Sequence, residues 1–117
     1  MIIDDETDIT FIFKIILEDA QFIVDVFNDP IEALSFYKKN YYDLVLLDLR
    51  LPCLSGFEMY YKILEVDDKA KICFLTSSEQ IHQIHRNGKS IPNSVAVIQK
   101  PIENSIFVQR VKEMSSR

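Results

Sequence analysis

An uninterrupted apolar run at residues 44–47, Leu-Val-Leu-Leu, constrains the fold more than any other feature of the chain, and it ends in Asp48. Consecutive apolar residues are typical of a parallel strand covered on both faces, because a half-exposed strand alternates apolar with polar residues. Pro52 then interrupts the chain. Asp48 therefore lies at the carboxyl end of a strand, where open α/β sheets build their sites. Taken alone, this aspartate is equally well explained as a polar residue that ends a strand.

Strand and helix patterns alternate along the chain. Apolar runs predict five strands, at residues 1–3, 22–27, 44–47, 71–75 and 95–98. Helical patterns follow them at residues 7–20, 30–39, 57–66, 79–87 and 104–114. The second helix opens with Asp29 as N-cap and Pro30 at its first position, and we expect Ile31 and Leu34 to face inward. The alternation predicts an α/β fold with a doubly wound parallel sheet.

The first predicted helix carries apolar residues on two faces. Phe11 and Ile15 lie four residues apart, outside the core-facing stripe, so they are neighbours on a second face. In one interpretation, packing within the chain covers this pair. In the other, the pair is an exposed apolar patch that docks a partner. The core-facing stripe itself has helical spacing and contains Ile9, Ile12, Phe13, Ile16, Leu17 and Ala20.

Composition narrows the classes of function. The chain has 117 residues and no Pro/Gly/Ser-rich linker, which predicts a single domain spanning 1–117. Its net charge of −5 argues against direct binding of nucleic acid, which needs clustered Lys and Arg. No apolar run reaches membrane-spanning length and no signal peptide is present, so we expect a cytoplasmic protein. Gly56 and Gly88 are the only glycines, which excludes glycine-rich nucleotide-binding loops.

Four of the five predicted strands end in residues suited to chemistry: Asp4 and Asp5, then Asp48, Thr76 and Lys100. In a doubly wound parallel sheet the carboxyl ends of the strands lie at one edge, so these side chains meet in one pocket. An aspartate can attack phosphorus and form an acyl phosphate. Cationic groups then stabilise the negative charge of the transition state. Together the residues suit phosphoryl transfer.

In this order and spacing, these residues make the sequence resemble the receiver domain of two-component response regulators. The resemblance covers nearly the whole chain, and it implies a flavodoxin-like (βα)5 fold with strand order 2-1-3-4-5, as in chemotaxis regulators. It also implies a signalling domain, rather than an enzyme, whose chemistry is its own phosphorylation and dephosphorylation. The matching motifs are Asp4-Asp5-Glu6, Tyr42-Asp43-Leu44-Val45-Leu46-Leu47-Asp48 with Pro52, Ser55-Gly56, Thr76-Ser77 and Lys100-Pro101.

The resemblance implies a role for each residue that handles phosphate. Asp48 would accept a phosphoryl group from a histidine kinase or phosphotransfer protein, as in a phosphorelay. Thr76 and Lys100 would each bind a phosphoryl oxygen. The phosphorylated state would switch a surface for a downstream protein that the sequence does not identify. Partner kinases of this family commonly dock on the first helix, which favours docking for Phe11 and Ile15.

A divalent cation is implied as well. Asp5 and Asp48 would supply carboxylates to Mg²⁺ or Mn²⁺, with Asp4 nearby through water and, by resemblance, the backbone carbonyl of Arg50 as a further ligand. An oxygen-only ligand set suits such ions. The family also has a cis peptide bond that aims its lysine. Lys100-Pro101 is a candidate for that bond, since cis peptides are nearly confined to X-Pro.

The sequence departs from the family pattern in two places. Val97 stands where the family usually has an aromatic residue whose rotamer reports phosphorylation, and valine has no ring. Residues 81–88 replace a stretch of small residues, and we expect a short or mobile fourth helix there. His82 and His85 are close enough to share a metal but lack a further ligand, so we expect them to be ordinary surface residues. These departures leave a second interpretation open, a receiver-like module that binds partners without phosphorylation. A dehalogenase-like hydrolase is disfavoured, because Arg50 stands where that class needs a second acid.

Overall fold

The chain folds into one parallel sheet with helices packed on it, in a computed structural model that describes residues 1–51, 54–77 and 95–116. Its strands are β1 (Ile2–Ile3), β2 (Val26–Phe27), β3 (Val45–Asp48), β4 (Ile72–Thr76) and β5 (Ala96–Gln99). The described residues also form the helices α1 (Thr7–Asp19), α2 (Pro30–Phe36), α3 (Gly56–Val66) and α4 (Asn104–Ser115). The strand order is β2-β1-β3-β4-β5 and every pairing is parallel, so the predicted flavodoxin-like topology is confirmed.

The apolar run that precedes Asp48 is buried on both faces of the sheet, as predicted. Val45 and Leu47 pack with buried residues of α2 and α3. Leu44 and Leu46 pack on the opposite face, with buried residues of α1 and α4. Each fully buried side chain of this size stabilises the fold by roughly 1.5–3 kcal/mol. The strand that carries Asp48 is therefore anchored from both sides.

Helix α1 buries Leu17, as predicted, but it does not bury the whole of its predicted core-facing stripe. Ile12 fits the apolar spacing, but its side chain is 53% exposed, so its predicted core position is wrong. Thr10 is buried instead. Its hydroxyl donates to the carbonyl of Thr7 at 2.9 Å and accepts from Asn28 Nδ2 at 3.1 Å, so both hydrogen-bonding capacities are used. A buried hydroxyl with these partners carries little desolvation cost, which is why a threonine is tolerated there.

Helix α2 begins as predicted but ends earlier than residue 39. The Asp29 side chain accepts a hydrogen bond from the Ile31 N–H at 2.9 Å, and Pro30 occupies the first turn. Ile31 is 56% exposed, so its predicted inward orientation is wrong, and Ala33 is buried instead. The predicted helix at residues 79–87 lies outside the described residues. Among the helices that the structure describes, none has the length and apolar character needed to span a bilayer.

Candidate functional site

The carboxyl ends of four strands bring residues distant in sequence to one edge of the sheet. Asp4 follows β1, Asp48 ends β3, Thr76 ends β4 and Lys100 follows β5. Lys100 Nζ lies 3.4 Å from Asp4 Oδ2 and 3.6 Å from Asp48 Oδ2. Strands that run parallel in one sheet have their carboxyl ends at the same edge, which accounts for this arrangement.

Four carboxylates cluster beside Lys100. Asp4, Asp5, Glu6 and Asp48 each offer one oxygen, and these oxygens all lie within 4.8 Å of one another. Asp4 and Asp48 are buried, whereas Asp5 and Glu6 are exposed. The ligand set implied by the family resemblance leaves out Glu6, although this residue directly follows two acids. In the part of the chain that the structure describes, Lys100 is the cation in each ion pair with this cluster.

The cluster fits a hard divalent cation. Its ligands are carboxylate oxygens, which suit Mg²⁺ and Mn²⁺. Two buried carboxylates repel each other unless a positive charge lies between them, and one ammonium offsets only part of that repulsion. The backbone N–H of Arg50 donates to Asp48 Oδ1 at 3.1 Å, so the Arg50 peptide adjoins the cluster. The Arg50 carbonyl as a ligand stays a prediction.

Burial raises the pKa of Asp4 to about 6. The neighbouring carboxylate of Asp48 contributes to this raised pKa. A hydrogen bond of 3.0 Å from the backbone N–H of Glu6, together with the positive charge of Lys100, acts in the opposite direction. The loss of hydration therefore outweighs the favourable partners, and the buried acid gains from a cation that binds beside it.

The main chain links Thr76 directly to Lys100. The backbone N–H of Lys100 donates to the carbonyl of Thr76 at 2.7 Å. Thr76 is buried, and its hydroxyl donates to the carbonyl of Ser77 at 3.1 Å. The peptide bond between Lys100 and Pro101 is cis, as anticipated for this pair. The backbones of Thr76 and Lys100 are thus joined at the same edge of the sheet.

Gly56 lets α3 pack against the backbone at the end of β3. A Cβ atom at this position would lie 2.5 Å from the carbonyl oxygen of Asp48 and 2.7 Å from the Cα of Leu49. The Gly56 N–H donates to the carbonyl of Leu49 at 3.0 Å. Ser55 caps the helix by accepting from the Glu58 N–H at 3.2 Å. The start of α3 therefore supports the strand end that carries Asp48, a contact that sequence reasoning did not anticipate.

An apolar cleft of about 570 Å³ opens beside the acidic cluster. Phe11 and Ile15 are 64% and 51% exposed, so the interpretation in which packing covers them is wrong. Neither of the two is among the residues that line the cleft. Ile15 lines a second groove, between α1 and α4. Acidic and basic site residues, including Asp5, Asp48 and Lys100, form one end of the cleft. Its apolar walls are Ile9, Ile12, Phe13, Ile16, Pro101 and Ile102.

Comparisons with known proteins agree with this architecture. The family model described as "Response regulator receiver domain" matches residues 1–112. The transcriptional regulatory protein DltR of Streptococcus agalactiae is 30% identical over 112 residues, which cover 96% of this chain and 49% of DltR. The hybrid signal transduction histidine kinase B of Dictyostelium discoideum is 31% identical over 114 residues, covering 87% of this chain and 6% of the kinase. The chain thus spans about half of DltR and a small part of the kinase.

Solved structures show the same fold over nearly the whole chain. The non-phosphorylated HemR receiver domain from Leptospira biflexa has a TM-score of 0.83 and 27% identity, with 99% of this chain and 92% of that one covered. A CheY-like receiver domain protein from Methanospirillum hungatei has a TM-score of 0.81 and 24% identity, with 97% and 90% covered. The chain therefore belongs to the family of response regulator receiver domains of two-component systems.

Proposed function

We propose that Asp48 of this chain accepts a phosphoryl group from a phosphohistidine on a histidine kinase or phosphotransfer protein. A phosphoacceptor role is general for the family. One observation carries the proposal for this chain: the buried carboxylate of Asp48 lies 3.6 Å from the ammonium of Lys100, inside a cluster of acids. This arrangement supplies a nucleophile together with positive charge for the group that it attacks.

Three side chains take part in the transfer, those of Asp48, Lys100 and Thr76. A carboxylate oxygen of Asp48 forms the bond to phosphorus as the bond from phosphorus to the donor atom breaks, which leaves an acyl phosphate. Lys100 leaves its carboxylate partners and pairs with a phosphoryl oxygen as a compact positive charge. Thr76 turns its hydroxyl from the Ser77 carbonyl to another phosphoryl oxygen. Water hydrolyses the acyl phosphate later, so the chain dephosphorylates itself rather than turning over an external substrate.

Mg²⁺ or Mn²⁺ supports this chemistry from the acidic cluster. Receiver domains generally bind Mg²⁺ at such a cluster. In this chain Asp4, Asp5 and Asp48 offer carboxylate oxygens within 4.8 Å of one another. These acids, with the backbone carbonyl of Arg50, would hold the ion. When bound, the ion supplies positive charge against the negative charge of the phosphoryl oxygens. The raised pKa of Asp4 supports the assignment, because a cation offsets the cost of burying its charge.

The direct test is to find which residue carries the phosphate. The chain is incubated with acetyl phosphate and Mg²⁺, reduced with borohydride, and digested for peptide mass mapping. Borohydride reduces an acyl phosphate to an alcohol, so a phosphorylated aspartate is recovered as homoserine. We expect homoserine at position 48 alone, because Asp48 is the buried acid at the end of β3 next to Lys100. Homoserine at Asp4 or Asp5 instead would contradict the assignment.

We also propose that the phosphodonor protein docks its helical bundle on the exposed face of α1. Phe11 and Ile15 expose more than half of their side chains, and Ile12 lines the cleft that leads to Asp48. A donor histidine has to reach the end of β3, so a partner that transfers phosphate covers this side of the molecule. Apolar side chains of this size are typical anchors for an amphipathic helix.

Docking predicts a difference between protein and small-molecule donors. With a histidine kinase that phosphorylates the wild-type chain, combining Phe11→Ala with Ile15→Ala is expected to slow transfer about tenfold, the effect of losing about 1.4 kcal/mol of contact energy. Labelling by acetyl phosphate should not change, because the pair is not part of the acidic cluster. Ile12→Ala is measured in the same assay, because Ile12 lines the cleft whereas Phe11 and Ile15 do not. The comparison shows whether the kinase contacts the cleft or the pair formed by Phe11 and Ile15.

The matched control removes two exposed isoleucines elsewhere, by combining Ile23→Ala with Ile31→Ala. This variant should receive phosphate from the kinase at the wild-type rate. If the control slows transfer as much as the α1 variant does, or if the α1 variant loses labelling from both donors equally, α1 is not the docking surface.

A second candidate function is a receiver-like module that binds partners without phosphorylation. Val97 favours it, because this position lacks the aromatic ring through which the family usually reports phosphorylation. The ion pairs of Lys100 with Asp4 and Asp48 favour the phosphoacceptor. We further propose that residues 1–117 form one receiver domain that acts through a downstream protein and does not itself bind nucleic acid, in keeping with its net charge of −5.

A further inference from the structure

Glu6 directs its carboxylate into the site although it lies at the surface. Glu6 Oε1 is 3.9 Å from Lys100 Nζ. The residue immediately precedes α1, and its side chain makes no capping hydrogen bond to that helix. The backbone of Glu6 makes two hydrogen bonds. Its N–H donates to Asp4 Oδ1 in the site, and its carbonyl accepts from the Thr10 N–H in α1. The carboxylate is therefore available to the acidic cluster.

The spacing of the four acidic oxygens suits a single shared cation. Two oxygens bound to one ion lie at most twice the metal–oxygen distance apart, which is about 4.2 Å for Mg²⁺ and about 5 Å for larger divalent ions. The oxygens of Glu6, Asp4, Asp5 and Asp48 all lie within 4.8 Å of one another. The Glu6 side chain is 59% exposed, so it has room to adjust its position when an ion binds.

We propose that Glu6 is a fourth carboxylate of the cation site and the outer partner of Lys100. In these positions it strengthens divalent-cation binding and slows the approach of anionic phosphate donors. Its negative charge attracts the cation and repels the donor at the mouth of the same site. Lys100 also has to leave Glu6 before it pairs with a phosphoryl oxygen. The second effect rests on the proposed phosphoacceptor function, whereas the first concerns cation binding alone.

A simpler role for Glu6 is to complement the helix dipole at the amino end of α1. Acids in the first turn stabilise helices in this way, and Asp8 is such an acid. Asp8 is exposed and is absent from the cluster of ligand oxygens. Asp8→Asn therefore makes the same change in net charge, at the same helix end, without touching the site. It serves as the matched control for Glu6→Gln.

Cation affinity is measured through the free Mn²⁺ signal in electron paramagnetic resonance, since the chain has no tryptophan to report binding by fluorescence. Glu6→Gln is expected to raise the Kd for Mn²⁺ about tenfold, the lower end of the loss seen when a residue supporting a metal site is removed. Asp8→Asn should change the Kd by less than about twofold, as expected for a screened surface charge. Glu6→Asp, which keeps the charge on a shorter side chain, should fall between wild type and Glu6→Gln.

The donor effect is measured as the rate of labelling by acetyl phosphate at saturating Mg²⁺, where Glu6→Gln should be faster than both wild type and Asp8→Asn. Equal Kd shifts in Glu6→Gln and Asp8→Asn, or no shift in either, would overturn the assignment of Glu6 to the cation site. A labelling rate that Glu6→Gln leaves unchanged would overturn its effect on donor approach. If the wild-type chain binds Mn²⁺ but takes no phosphate, the phosphoacceptor proposal fails while the Mn²⁺ comparison still decides the ligand role of Glu6.

Discussion

Replacing Gly56 with alanine is expected to lower the free energy of unfolding by about 3 kcal/mol or more, the scale of severe overpacking. The added Cβ would lie 2.5 Å from the carbonyl oxygen of Asp48 and 2.7 Å from the Cα of Leu49. Both atoms belong to the backbone, so no side chain can rotate to make room. Alanine favours a helix over glycine by about 1 kcal/mol, which offsets only part of this cost. Relief requires α3 to move away from the end of β3.

Chemical denaturation of the Gly56→Ala variant measures this loss, and Ser55→Ala is its control. Ser55 caps the same helix through the Glu58 N–H, so its loss should cost about 1 kcal/mol. Comparing the two variants distinguishes a steric clash with the backbone at the end of β3 from the loss of a helix cap. A Gly56→Ala variant as stable as wild type would show that α3 does not pack against the end of β3 as described.

Replacing Asp4 with asparagine is expected to stabilise the fold at pH 8 without divalent cation. The pKa of Asp4 is raised by burial from 3.8 to about 6, so the folded chain holds this proton more tightly than the unfolded chain does. The resulting stability is complete below pH 3.8 and is lost as the pH rises through about 6. Each pKa unit corresponds to about 1.4 kcal/mol, so the variant should gain roughly 1–3 kcal/mol at pH 8.

Denaturation curves between pH 4 and pH 8 test this expectation, with Asp5→Asn as the control. Asparagine keeps an oxygen that can accept the hydrogen bond from the Glu6 N–H, so Asp4→Asn retains the local backbone contact. Asp5 is an exposed acid of the same cluster, and its replacement should change stability less. Added Mg²⁺ should stabilise the wild type more than Asp4→Asn, because one ligand is lost. If the free energy of unfolding of Asp4→Asn depends on pH as that of the wild type does, Asp4 is not a buried carboxylate with a raised pKa.

Much of the fold could be predicted because its strongest signals are local. The run at residues 44–47 is long enough and apolar enough to define a strand buried on both faces. The Asp29-Pro30 pair marks the start of α2, since both residues act within one helical turn. Ile12 was misplaced because apolar spacing predicts a wider stripe than α1 buries. Strand β2 contains two residues, fewer than the apolar pattern at residues 22–27 predicts. A strand extends only as far as its neighbour pairs with it, and β1 pairs with β2 over two residues.

The site could be predicted only in part. Residue types at strand ends, such as Asp48 and Lys100, follow from the chain order, and parallel topology brings them together. The contribution of Glu6 depends on the orientation of one flexible side chain, which cannot be predicted from the pattern of apolar and polar residues. The tight approach of Gly56 to β3 likewise depends on a distance between two elements. Such details follow from packing in three dimensions.

The most direct test of the central claim is the intact mass of the chain after incubation with acetyl phosphate. Wild type and Asp48→Asn are compared with and without Mg²⁺. Asparagine keeps an oxygen that can accept the hydrogen bond from the Arg50 N–H, so the variant retains the local backbone geometry. We predict the mass of one added phosphoryl group on wild type in Mg²⁺ and no gain on Asp48→Asn. A gain that persists in Asp48→Asn, or no gain on folded wild type in Mg²⁺, would contradict the assignment of Asp48 as the phosphoacceptor.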